Sequence, residues 1–176
     1  MLQLTIKGKP VHIKNEIIKV GDTLSFSAVN KTIDNMNLEQ FTNKFKIISS
    51  VPSIDTKTCA LQTIHFNKEA TKLKDLVIIT ISKDLPFAQS RFCEKLKMNN
   101  NFHIWSDYRN NENNFSNTTN LLIDEIQLLA RTIIIVDKNN KVIYLQIVKE
   151  VTLEPNYDEV LKFIKTLTLN YTCKCK

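Results

Sequence analysis

Phe45–Phe66 reads FKIISSVPSIDTKTCALQTIHF, and the interpretation of this stretch decides the fold. Its opening run, FKIISSV (45–51), is short and largely apolar, and reads as a buried strand. PSIDTKT follows as a loop, with Pro52 removing one backbone N–H and stiffening the turn. A helical pattern then begins at Cys59, with Leu61, Ile64, Phe66, Ala70 and Leu73 expected on its apolar face.

The same alternation continues downstream. LVIITIS (76–82) is a second buried strand, β-branched and almost wholly apolar. Asp84 and Pro86 mark the start of a helix, since proline is tolerated in a first turn, and the helix should run through Cys93 to about Leu96. FHIWS (102–106) is a third strand, and the polar, Asn-rich 107–120 a loop or weak helix. RTIIIV (131–136), the turn DKNNK and KVIYLQIV (141–148) predict a hairpin. Pro155 precedes a helix with Val160, Leu161, Ile164 and Leu167 on one face. Upstream, LQLTI and PVHIK flank Gly8-Lys9 as an N-terminal β-hairpin, and 37–45 holds a short helix. Apolar strands alternating with helices imply one α/β domain of thioredoxin-like type, a central mixed sheet with helices on both faces. The domain is expected over 1–168, with 169–176 as a short tail carrying Cys173 and Cys175.

Composition narrows the function. The chain has 176 residues, enough for one substantial core. No apolar run approaches the ~20 residues needed to cross a membrane, and no signal peptide is visible, so the expected location is cytoplasmic. The net charge of +6 raises the question of nucleic acid. The lysines are scattered, however, with no run of five or more basic residues and no interleaved aromatics, which reads as a solvated surface. Only two glycines occur, so a phosphate-cradling loop and a dinucleotide fingerprint are both excluded. His12, His65 and His103 are dispersed and form no ligand set with the cysteines, so no metal or other cofactor is expected.

The four cysteines are Cys59, Cys93, Cys173 and Cys175, with no C-x-x-C among them. In a reducing compartment such thiols are redox or metal residues more often than staples. A thiol attacks as thiolate, and a free cysteine of pKa ~8.5 is only about 3% ionised at pH 7. The first turn of a helix offers unpaired N–H groups and partial positive charge, which favour the anion. Thr56 can offer a hydroxyl to the sulfur or to a bound oxygen substrate. Placement alone leaves two readings of Cys59 open, a reactive nucleophile or a small buried hydrophobe.

The spacing P-x-x-x-T-x-x-C, on Pro52, Thr56 and Cys59, resembles the peroxiredoxin active-site pattern. PSIDTKTCA (52–60), SKDLPFAQSRFC (82–93), LLAR (128–131) and EPNYDEVL (154–161) are similar to the thiol peroxidase branch, the atypical two-cysteine peroxiredoxins. The resemblance covers about Leu2 to Leu167, and DLPFAQSRFC is its most specific part.

That resemblance implies a thioredoxin-dependent peroxidase acting on hydrogen peroxide and alkyl hydroperoxides. It places the peroxidatic cysteine on Cys59, the resolving cysteine on Cys93 and their redox disulfide at Cys59–Cys93. It places the pocket's threonine on Thr56, its proline on Pro52 and its arginine on Arg131. It further implies thioredoxin as reductant and a homodimer with the peroxidatic loop, including Asp55, near the interface. Both cysteines fall in predicted helices, so they are expected to lie apart until a helical segment loosens.

The chain departs from the pattern in three places. Lys57 stands where proline or glycine is usual, glycines are missing from 115–130, and the tail YTCKCK runs past the usual end. The rival from another class is a non-enzymatic thiol sensor or holdase on the same fold. A disulfide reductase would want a second cysteine where Gln62 stands. His65 lies too far round the helix from Cys59 to form a Cys–His couple.

Overall fold

Isoleucines alternate across the central strands, and that alternation builds two cores. In a computed structural model, which describes residues 1–73 and 75–172, with side chains described through 167, the chain order is as follows. β1 (Leu2–Ile6), β2 (Lys9–Ile13), β3 (Ser27–Val29) and β4 (Asn35–Asn37) precede a 3-10 turn at Leu38–Phe41. β5 (Phe45–Ser50), α1 (Lys57–Ala70), β6 (Leu76–Ser82), α2 (Pro86–Glu94) and β7 (Phe102–Ser106) form the central run. α3 (Phe115–Thr119), β8 (Leu122–Ile123), β9 (Leu128–Leu129), β10 (Thr132–Val136), β11 (Val142–Ile147) and α4 (Tyr157–Thr172) complete it.

The main sheet has seven strands in the order β11-β10-β5-β6-β7-β3-β4. β5, β6 and β7 are parallel, while β10, β11, β3 and β4 join antiparallel, so the sheet is mixed. Successive side chains on a strand point to opposite faces. Ile47, Ile78, Ile133 and Ile135 therefore enter one core with Phe66 and Ala70 of α1, Cys93 of α2, and Val160 and Ile164 of α4. Ile48, Ile79, Ile81, Ile134 and Val136 enter the other, with Leu4, Val11, Trp105 and Phe115 of α3. Burying each such isoleucine fully is worth about 1.5–3 kcal/mol. This is the expected thioredoxin-like arrangement. The N-terminal hairpin turns at Lys7 and Gly8, both at positive φ, as a tight two-residue connection requires.

The reading of α1 needs correction. The apolar face assigned to α1 is buried only in part: Phe66 and Ala70 are in the core and Leu73 packs against it, but the other two positions are not. Leu61 and Ile64 are 43% and 42% exposed, while Cys59, Gln62, Thr63, Phe66, Asn67 and Ala70 are buried. Polar side chains occupy that face because each has a partner. Gln62 and Thr63 bond within the site region, and Asn67 bonds the Lys97 carbonyl and the Asn99 N–H. The helix also starts at Lys57, two residues before the pattern suggested. At the other end, α4 continues to Thr172, past the point where a tail was expected. Cys173 and Cys175 lie outside the described residues.

Candidate active site

β5 and β6 are parallel neighbours, so the connections leaving them emerge side by side at their C-terminal ends. Residues 51–56 lead from β5 into α1, and 83–85 lead from β6 into α2. Thr56 is the N-cap residue of α1, and Cys59 is in that helix's first turn. The expected first-turn position of Cys59 is therefore observed, although the helix begins at Lys57 rather than at the cysteine.

The Cys59 thiol is fully buried, packed with Val51 and Ile54, with Phe92 of α2 against the same cluster. Pro52, which follows Val51, is also buried. Arg131, immediately before β10, is 2% exposed, and its Nη2 donates to Cys59 Sγ at 3.3 Å. A buried guanidinium is costly unless its donors are met. Here Nε donates to the Val151 carbonyl at 2.9 Å and Nη1 to Gln62 Oε1 at 2.7 Å. Gln62 is itself fully buried and donates from Nε2 to Ser49 Oγ at 2.7 Å. A chain of contacts therefore runs from β5 through α1 to the guanidinium and then to sulfur.

The Thr56 hydroxyl donates to the Ser53 carbonyl at 3.1 Å and does not cap the helix. Asp55, Thr56 and Lys57 are exposed, so the loop faces solvent while the thiol does not. Thr58 ties the first turn of α1 to the loop after β11 by donating to the Thr152 carbonyl at 3.1 Å.

Cys93 is 7% exposed and lies in the other core, among residues such as Ile78, Phe102 and Ile104. Burial pushes its thiol up from the ordinary value. Both Cys59 and Cys93 are free thiols within helices. Phe92 bridges them, packing against the clusters of both.

His65 takes no part in the thiol's environment. Its ring stacks on Tyr157 of α4 with centroids 3.9 Å apart. Desolvation holds the imidazole below its ordinary pKa.

The structure therefore brings Cys59 and Arg131 together, buries Pro52 in the loop ahead of α1, leaves Thr56 exposed at the start of that helix, and sets Cys93 in a separate cluster that Phe92 also packs against. Sequence reasoning missed Gln62. Its signal was available: it lies three residues after Cys59, hence on the same helix face.

A buried thiol facing a buried guanidinium can hold a thiolate and stabilise charge moving onto an oxygen. The chain is also similar to known proteins. The Redoxin family model matches residues 19–161. A thiol peroxidase of Bacillus subtilis is 39% identical over 168 residues, covering 95% of this chain and 99% of its own. One from Clostridium acetobutylicum is 43% identical over 164 residues, with 92% and 96% covered. Among solved structures, a peroxiredoxin-like protein from Aquifex aeolicus superposes with a TM-score of 0.85 at 35% identity, covering 94% of this chain and 96% of that one. A thiol peroxidase from Chromobacterium violaceum shares the fold, with a TM-score of 0.84 at 20% identity over 96% and 98% of the two chains.

Proposed function

The chain belongs to the redoxin family and, within it, to the thiol peroxidases, and on that premise we propose that Cys59 is the peroxidatic cysteine of an enzyme that reduces hydroperoxides with electrons from thiols. The observation that carries the assignment is the 3.3 Å contact between Arg131 Nη2 and Cys59 Sγ inside a buried site.

The Cys59 thiolate attacks one peroxide oxygen. The O–O bond breaks, sulfur gains an oxygen as sulfenic acid, and the other oxygen leaves with a proton as water or alcohol. Arg131 donates to sulfur before the step and to the peroxide oxygens as charge passes between them. Pro52 keeps the loop stiff and dry, and Thr56 offers a hydroxyl at the rim. The Cys93 thiol then condenses with the sulfenic acid, releasing water and closing the Cys59–Cys93 disulfide. A thioredoxin-type dithiol takes over the disulfide and restores both thiols. The two thiols this cycle uses both fall within the domain expected over 1–168.

The reading extends to a homodimer in the cytoplasm, a compartment that keeps thiols reduced. Exposed Leu61 and Ile64 on α1, with Leu85 and Phe87 at the start of α2, support an apolar contact beside the site. Among the described residues, no helix is long and apolar enough to cross a membrane.

Peroxide consumption coupled to thioredoxin and its reductase tests the assignment. Cys59→Ser should abolish turnover. Turnover that survives the substitution refutes it. Sedimentation of the wild-type protein against Leu61→Glu decides the dimer: both must not run alike as monomers if the contact exists.

A further inference from the structure

One carboxylate ties together the two connections that lead into the cysteine-bearing helices. Asp84 lies between β6 and α2, and its Oδ1 accepts from Ser53 Oγ at 2.7 Å. Its Oδ2 accepts from the Ile54 backbone N–H at 2.8 Å and from Ser82 Oγ at 2.7 Å. The Asp84 carbonyl accepts from Ser106 Oγ on β7, so the residue is anchored to the sheet. Ser53 passes the constraint on. Its carbonyl receives both the N–H and the hydroxyl of Thr56, each at 3.1 Å, at the residue from which α1 departs. A carboxylate beside a helix start ordinarily accepts that helix's own N–H groups. Asp84 instead turns to the neighbouring loop, and the N-cap of α2, Leu85, has no side-chain cap.

A disulfide needs Cα atoms roughly 4.4–6.8 Å apart with both sulfurs facing. Cys59 and Cys93 sit within helices and belong to different apolar clusters. The loop ahead of Cys59 cannot part from the start of α2 while Asp84 holds both.

We propose that Asp84 is a positioning residue that latches the Cys59 loop to the start of α2, and that release of this latch sets how fast a Cys59 sulfenic acid reaches Cys93. The proposal rests on the assignment of Cys59 and Cys93 given above. The closed latch has two opposed effects. It holds Thr56 and the first turn of α1 in the arrangement that meets peroxide. It also prolongs the life of the sulfenic acid. During that interval a second hydroperoxide can donate one oxygen to the sulfur, leaving as water or alcohol and producing sulfinic acid. Asp84 thereby sets the share of turnovers that end in over-oxidation.

Two variants of the full chain test this, Asp84→Asn and the milder Ser53→Ala. The amide of Asp84→Asn keeps one acceptor but turns an N–H group toward donors. Ser53→Ala removes a single bond. Reduced protein is mixed rapidly with hydrogen peroxide, and Cys59 and Cys93 peptides are quantified as disulfide and sulfinic acid. Trp105, the single tryptophan, supplies a fluorescence signal, since its carbonyl accepts from Gln89 of α2 at 2.8 Å.

The expected result for Asp84→Asn is disulfide formation faster by about threefold to tenfold, the range spanned by one hydrogen bond's net contribution. Its sulfinic fraction at matched peroxide should fall by a similar factor, and its reaction with peroxide should slow. Ser53→Ala should move the same way by less. A merely structural role would lower the melting temperature and leave the ratio of disulfide to sulfinic acid unchanged in both variants, which overturns the latch. Should Asp84→Asn fail to fold, the ratio in Ser53→Ala decides. A wild-type chain that forms no Cys59–Cys93 bond on peroxide treatment overturns the resolving assignment itself, and this is read from the wild-type sample alone.

Discussion

Gln62 Oε1 receives Arg131 Nη1 at 2.7 Å, with both side chains sealed from solvent, so the aim of the guanidinium at Cys59 depends on a glutamine one helical turn from the sulfur. The amide is itself aimed by Ser49 on β5. Removing the acceptor leaves a buried, charged donor unmet, a loss of about 1.5–3 kcal/mol. Gln62→Leu should therefore lower kcat/KM for peroxide by about 10- to 100-fold. Gln62→Glu, which keeps the acceptor, should recover part of it. Steady-state kinetics of the two variants side by side make the check.

Arg131→Lys should be a poor replacement. Arginine reaches Cys59, Gln62 and Val151 with three different nitrogens held in one plane. An ammonium is a compact point charge and cannot span them. We expect a loss of at least about 100-fold in the peroxide step, the order seen when a transition-state donor is removed, measured by stopped-flow with equal folded fractions by circular dichroism.

Cys93→Ser separates the two halves of the cycle. Its peroxide step should survive, because Cys93 contributes nothing to the contacts at Cys59 Sγ. With thioredoxin alone as reductant it should consume about one peroxide per chain and then stall or over-oxidise. Sustained turnover at the wild-type rate would show that another thiol resolves Cys59.

Lys57 opens α1 and is exposed. Exposed charges are screened and worth little. Lys57→Ala should leave the peroxide rate within about twofold in 0.15 M salt. A larger fall that deepens as salt is lowered would assign the lysine a role in attracting substrate or favouring the thiolate.

His65 gives the fold a pH dependence with a defined sign. Desolvation holds its folded pKa below the ordinary 6.5, so the unfolded chain binds the extra proton first as pH falls. Stability from this group is complete above about 6.5 and is lost as pH drops through the lowered folded value. His65→Phe keeps a ring against Tyr157 and removes the proton. Denaturant midpoints at pH 7.5 and 5.5 should fall more for wild type than for the variant.

The strands were legible because β5, β6 and β10 are buried on both faces and each carries a short, mostly β-branched apolar stretch, Ile47–Ile48, Leu76–Ile79 and Ile133–Val136. β3, β4, β8 and β9 were not, since two or three residues carry no period. The face of α1 misled for a different reason. Its buried side is held by hydrogen bonds from Gln62, Thr63 and Asn67, so apolar periodicity pointed to Leu61 and Ile64, which face outward. Within the site, spacing and resemblance pointed to Cys59, Thr56 and Arg131, and the structure sets Arg131 against Cys59. Asp84 looked like an ordinary helix-start residue, because its partners Ser53 and Ile54 lie about 30 positions away and only the sheet brings them near.

The contact between Arg131 and Cys59 joins positions 72 apart in the chain. A polypeptide still on the ribosome, grown only through α2, carries both cysteines but neither the guanidinium nor the β10 strand that delivers it. On the assignment proposed above, the nucleophile is made early and armed late, and Cys59 should react rapidly with peroxide only in a chain that has grown past β10.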